Sequence, residues 1–109
     1  TATLEAALLG TPMVVCYRVS RFTAVVSRLL IRIPRISLPN IVAGRDVVPE
    51  LLQEEVTGAR LAHEARRLLA EPGIAAAQRA AFGELRGRLG EPGVGRRAAR
   101  AVLASARAA

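Results

Sequence analysis

Thr1 and Thr3 place two hydroxyls just ahead of Glu5 in the segment Thr1-Ala2-Thr3-Leu4-Glu5. At a helix start, free backbone N–H groups and the positive end of the dipole suit a phosphate. The threonine hydroxyls would add donors there, and Glu5, one turn in, would accept hydrogen bonds from a pair of ribose hydroxyls. The same residues equally suit a threonine N-cap with an acid in the first turn. Asn40 and Gly44 stand in Ser37-Leu38-Pro39-Asn40-Ile41-Val42-Ala43-Gly44-Arg45, read as a loop after a strand. Ligands of open α/β sheets sit beyond the carboxyl ends of strands, and Asn40 can both donate and accept toward a base, sugar or phosphate. An ordinary turn would use the same residue types. Glu50 falls in Val47-Val48-Pro49-Glu50-Leu51-Leu52-Gln53, read as the first turn of an apolar helix where an acid stabilises the dipole. Arg18 directly follows an apolar run and could face a phosphate. His63 has no Ser or Cys nearby in sequence and reads as a surface histidine. Cys16 lies in an apolar run and reads as a lone buried thiol. One Cys and one His build neither a disulfide framework nor a metal cluster.

The elements that must position these residues follow from periodicity and punctuation. Residues 1–9 read as a helix stopped by Gly10 and Pro12. Residues 13–17 read as a short buried strand, and residues 35–38 as a second. Between them, residues 18–33 read as a helix ended near Pro34. On it Arg18, Arg21, Arg28 and Arg32 share roughly a quarter-turn, beside an apolar face of Val19, Phe22, Val26, Leu29, Leu30 and Ile33. That face suits an anionic membrane surface, and it equally suits a solvated basic side over a core. A short helix is expected over 47–55. Thr57 is read as the N-cap of a helix to Ala70 with Leu61, Ala65, Leu68 and Leu69 facing in. A further helix is expected over 74–89 with Ala77, Ala81, Phe82 and Leu85 on one face, and an Ala-rich helix after Glu91-Pro92-Gly93.

With 109 residues there is room for one small domain. No run approaches the roughly 20 apolar residues that span a bilayer, and residues 6–15 lack signal-peptide order. The net charge is +7, and all sixteen basic residues are Arg. That excess attracts anionic partners. Three aromatics in all argue against single-strand nucleic-acid stacking, so nucleic acid is not expected as a partner.

Read in order, Thr-Ala-Thr-Leu-Glu-Ala-Ala-Leu-Leu-Gly-Thr-Pro-Met-Val-Val, Tyr-Arg-Val-Ser, Ser-Leu-Pro-Asn-Ile-Val-Ala-Gly-Arg and Val-Val-Pro-Glu-Leu-Leu-Gln resemble the C-terminal part of the lipid-A-disaccharide synthases. The likeness is close over residues 1–55 and looser beyond. It implies an α/β fold, part of the C-terminal Rossmann-like domain of a GT-B glycosyltransferase. Residues 1–56 would be the UDP-binding part and residues 57–109 a C-terminal helical segment. The implied reaction moves 2,3-diacylglucosamine from its UDP conjugate to 2,3-diacylglucosamine 1-phosphate. Its products are the lipid A disaccharide 1-phosphate and UDP, at the cytoplasmic face of the inner membrane, with no cofactor or metal. Carried over residue by residue, Thr1 and Thr3 fall near the diphosphate and Glu5 at the ribose. Arg18 is the basic residue after the strand, Asn40 the polar residue of its loop, and Glu50 the acid of the following helix.

The catalytic base is implied in an N-terminal domain. The resemblance also implies a homodimer that exchanges C-terminal segments, and a membrane surface met by residues 18–33. Two positions depart from the family pattern: Arg21 stands where Pro is common and Arg35 where an aromatic is usual. The family's Ser-Gly ahead of Thr1 is missing, so the chain is expected to begin inside a diphosphate-binding turn of a longer protein. Other classes fit the residues less well. These are another UDP-sugar GT-B enzyme, an epimerase or a peptidoglycan glycosyltransferase, and a non-enzymatic basic module for membrane or nucleic acid. The Ser-Leu-Pro-Asn loop argues against the other UDP-sugar enzymes, and UDP binding that depends on Glu5 and Asn40 is the expectation that a non-enzymatic module would not meet.

Overall fold

The computed structural model describes residues 1–20, 23 and 35–108. It is mostly helical, with one two-stranded parallel sheet. Helix α1 spans Ala2–Leu8 and strand β1 Val15–Tyr17. Helix α2 spans Leu38–Ala43 and strand β2 Glu50–Leu52, followed by one 3-10 turn at Gln53–Glu55. Helices α3 (Gly58–Ala70), α4 (Pro72–Leu89) and α5 (Val94–Ala108) complete the chain. β1 and β2 pair in parallel with Val15 opposite Glu50 and Tyr17 opposite Leu52.

Each boundary has a local cause. α1 ends in a Schellman turn: Gly10, at φ 74°, donates to Ala7, and Thr11 donates to Ala6. α2 starts with Pro39 in its first turn, where a missing N–H costs nothing, and stops at Gly44, at φ 70°. Thr57 caps α3 as expected, its Oγ1 accepting from the Arg60 amide at 3.2 Å. Glu71 closes α3, and Pro72 then opens α4 two residues earlier than the expected start at Ile74.

Several expectations are corrected. Residues 35–38 are not a strand, because Ser37 is the N-cap of α2 and Leu38 its first residue. For the same reason most of the expected loop after them is helix. Residues 47–55 are not a helix: Pro49 leads into β2, its carbonyl accepting from the Val15 amide at 2.9 Å. Cys16 is exposed, since only Val15 of this three-residue strand packs against the core while Cys16 and Tyr17 are open. The inward face of α3 is turned relative to expectation. Glu64 is buried, while Leu69 is 86% exposed and Ala65 is exposed. Ala77 on α4 is likewise exposed. Residues 18–20 are not helical, and Ser20 Oγ accepts from the Thr23 amide at 3.3 Å. The expected helix beyond that point, with Arg21, Arg28, Arg32 and its apolar face, lies outside the described residues.

The core is small and sits where α1, α2 and α4 meet: Ala7, Ala43, Val48, Phe82 and Leu85, flanked by Met13, Val15, Val42 and Val47. Alanines at the crossings let the helices approach closely, and Phe82 is the largest side chain of the cluster. α4 also binds the backbone of its neighbours. Gln78, buried in an otherwise apolar stretch, accepts from the Met13 amide at 2.8 Å and donates to the Met13 carbonyl at 3.1 Å. It thus stands in for a neighbouring strand at the residue that leads into β1. Arg86 donates to the carbonyl of Leu8 at the end of α1, and Arg88 to that of Val42 near the end of α2. Cations at helix carboxyl ends oppose the dipole, so part of the arginine excess serves the fold. Gln78→Ala is expected to lower stability by about 2–3 kcal/mol, through two lost hydrogen bonds at a shielded backbone. Urea denaturation monitored by circular dichroism reads this loss, and a midpoint equal to the parent's would contradict it.

Candidate functional site

The six candidate residues divide into two groups. Asn40 and Glu50 come together at the amino end of β2, in a polar knot turned inward. Asn40 is 1% exposed. Its Oδ1 accepts from the amides of Val47 at 2.7 Å and Val48 at 3.0 Å. Its Nδ2 donates to the Val48 carbonyl at 2.9 Å and to Glu50 Oε1 at 2.8 Å. Glu50 Oε1 also accepts from the Ser37 amide and hydroxyl, and Oε2 from the Ile36 amide at 3.0 Å. The carboxylate of β2 therefore ties down the start of α2, and the carboxamide of α2 ties down the entry to β2.

Burial alone would raise the Glu50 carboxyl. The Ser37 hydroxyl, the amides of Ile36 and Ser37, and Asn40 all donate to it, and together they hold it below its ordinary value of 4.5. A carboxylate held ionised by four donors is a weak base, which suits it poorly to take a substrate proton. Chemically this knot is a clamp on backbone geometry.

The other group faces outward. β1 and β2 run in parallel, so both end on one side of the sheet. Arg18 follows β1 directly, is exposed, and has no side-chain partner among the described residues. Val19, next to it, donates its amide to Oε1 of Gln53 at 2.9 Å. Gln53 follows β2 directly and has φ 52°, the only positive φ at a non-glycine among the described residues. Glu5 is exposed, and its carboxylate has no partner among the described residues. Thr1 occupies the N-cap position of α1, but its side chain makes no capping hydrogen bond. Thr3 is half-buried. Arg35 pairs with Asp46 at 2.8 Å. His63 lies on the surface of α3 as expected.

The residues match the family description Lipid-A-disaccharide synthetase over positions 1–102. The chain belongs to the lipid-A-disaccharide synthetase family. Relatives named lipid-A-disaccharide synthase include those of Anaeromyxobacter dehalogenans strain 2CP-C and Myxococcus xanthus. Each is 48% identical over 103 residues, which cover 94% of this chain and 27% of the relative. The Gluconobacter oxydans protein is 45% identical over 92 residues, 84% of this chain and 22% of that protein. The chain thus spans about a quarter of the length of the lipid-A-disaccharide synthases it matches. Two polar residues with specific partners were not singled out from sequence. Gln78 carried a faint signal, a lone amide in an alanine-rich helix. Gln53 carried none, because a left-handed backbone at a glutamine has no sequence signature.

Proposed function

We propose that this chain forms the UDP-holding part of a lipid-A-disaccharide synthase. The whole enzyme transfers 2,3-diacylglucosamine from its UDP conjugate to 2,3-diacylglucosamine 1-phosphate, releasing UDP. The acceptor hydroxyl forms the new bond at the anomeric carbon with inversion, and the bond from that carbon to the UDP oxygen breaks. The observation that carries this reading is the exposed guanidinium of Arg18, without a side-chain partner among the described residues, at the carboxyl end of a parallel strand within a sequence of this family. Arg18 offers planar donors to the diphosphate as negative charge builds on the leaving group. In a helix–turn–strand unit the helix runs back along its strand, which brings the start of α1 to the same side. Thr1 and Thr3 then add donors near the diphosphate, and Glu5 takes the ribose hydroxyls. Asn40 and Glu50 act on the site indirectly, by fixing the entry to β2. The base that activates the acceptor is assigned to the N-terminal domain that the resemblance implies.

In the full-length enzyme, Glu5→Ala and Arg18→Ala are each expected to weaken UDP binding about tenfold, the scale of one charge-assisted contact. Thermal stability should stay unchanged, because both side chains are exposed and have no partner among the described residues. Titration calorimetry with UDP makes the measurement, and parent-like affinity in both variants would overturn the site.

Two further parts of the reading concern partners. α5 buries none of its residues, and Val94, Val102 and Leu103 are 72%, 67% and 56% exposed. The radius of gyration is 18.0 Å, against about 13 Å for a compact chain of this length. An uncovered amphipathic helix supports a homodimer that exchanges C-terminal segments, which light scattering of the full-length enzyme would detect. No helix among the described residues is long and apolar enough to cross a membrane. Docking of residues 18–33 on the cytoplasmic face of the inner membrane is the remaining part of the proposal. Its motivation is the arginine stripe, and vesicle binding that ignores salt would count against it.

A further inference from the structure

We propose that Gln53 is a positioning residue of the nucleotide site, holding Arg18 in place through the neighbouring Val19 amide. The inference rests on the reading that the carboxyl ends of β1 and β2 hold UDP. Three observations carry it. First, the Gln53 carboxamide spans the two strand ends: its Oε1 accepts from the Val19 amide at 2.9 Å, across 34 residues of chain. Second, Gln53 reaches that amide from a left-handed backbone, at φ 52°. A side chain other than glycine is disfavoured there by about as much as one neutral hydrogen bond returns. The pairing therefore does little for net stability, and its effect is to define where the segment after β1 lies. Third, that segment has few other anchors. Arg18 and Ser20 are exposed, and among the described residues Arg18 has no side-chain partner and the Ser20 side chain bonds only onward to Thr23. Releasing the Val19 amide frees Arg18 to sample positions away from the diphosphate.

Gln53→Gly and Gln53→Asn separate positioning from structure. Glycine adopts the left-handed backbone freely, and asparagine tolerates it but is one methylene too short to reach Val19. In the full-length enzyme, both variants are expected to bind UDP about tenfold more weakly. The thermal midpoint should be unchanged, or raised in the glycine variant. A double variant, Arg18→Ala with Gln53→Gly, should bind no more weakly than Arg18→Ala alone, because Gln53 acts through Arg18. Parent-like affinity in both single variants overturns the inference, as does an additive loss in the double variant. A loss of affinity that tracks a falling midpoint in both single variants also overturns it, since Gln53 would then be structural. Failure of the parent enzyme itself to bind UDP overturns the proposed function and this inference together. A parent that binds alongside indifferent Gln53 variants overturns this inference alone.

Discussion

Asn40→Ala is expected to destabilise the protein by about 3–4 kcal/mol, a large share of the 5–15 kcal/mol typical of a small domain. The side chain is 1% exposed and makes four hydrogen bonds, to the Val47 and Val48 amides, the Val48 carbonyl and Glu50. Alanine removes all four bonds, and leaves the Val48 amide and carbonyl without partners in a buried position. Asn40→Asp is the sharper variant. It keeps an acceptor for the two amides, but it loses both Nδ2 donations and sets a second carboxylate against Glu50. At neutral pH it should be no more stable than the alanine variant. Its stability should then rise as the pH falls toward 5, because one proton shared by the two carboxyls restores a donor. The parent protein should not gain stability over that range. Urea denaturation at several pH values tests both statements, and an aspartate variant that is parent-like at pH 7 would show that the knot is unimportant.

Glu50→Gln is expected to change both stability and its pH dependence. In the folded protein Glu50 titrates below its ordinary value of 4.5, because donors from Ser37, Ile36 and Asn40 outweigh its burial. A carboxyl with a lowered folded pKa contributes stability that is fully present above the unfolded pKa. That stability is lost as the pH falls through the folded value. The parent should therefore weaken from about pH 4.5 downward. Glutamine can turn its oxygen toward the three donors on Oε1, but its Nε2 then faces the Ile36 amide, donor against donor. A loss of about 1–2 kcal/mol at pH 7 follows. The variant should also lose the part of the acid dependence that belongs to this residue. A variant with the parent's full acid profile would place that dependence on other carboxylates.

The knot also shows why the sequence was misread around it. Residues 35–38 and 47–55 are short apolar runs, and at such lengths helix and strand patterns cannot be separated. α2 has six residues and β2 three, too few for a period to repeat. The cues for α2 were in the sequence, with Ser37 and Pro39 at its start and Gly44 at its end, but they also suit a turn. What settles the matter is a contact between residues ten apart, Asn40 with Glu50. The long elements were legible for the converse reason. Thr57, Pro72 and Gly90 bound α3 and α4, and their length lets amphipathic spacing show, although Leu69 and Ala77 fell on the wrong side.

By itself, the sequence determined the family, the α/β class with mostly helical content, a strand ending at Tyr17, and the candidacy of Glu5 and Arg18. These rest on residue order and local chemistry, which a chain carries before it folds. Only the tertiary structure decided that β1 pairs with β2, that Cys16 is exposed, and that Asn40 and Glu50 turn inward to each other. It alone showed Gln78 supporting the chain ahead of β1 and Gln53 joining the two strand ends. Each of these depends on groups brought together across the chain, on which side chain takes a buried donor first, and on which face the helices leave open to water. Such competition is settled by packing, and spacing along the chain does not record it.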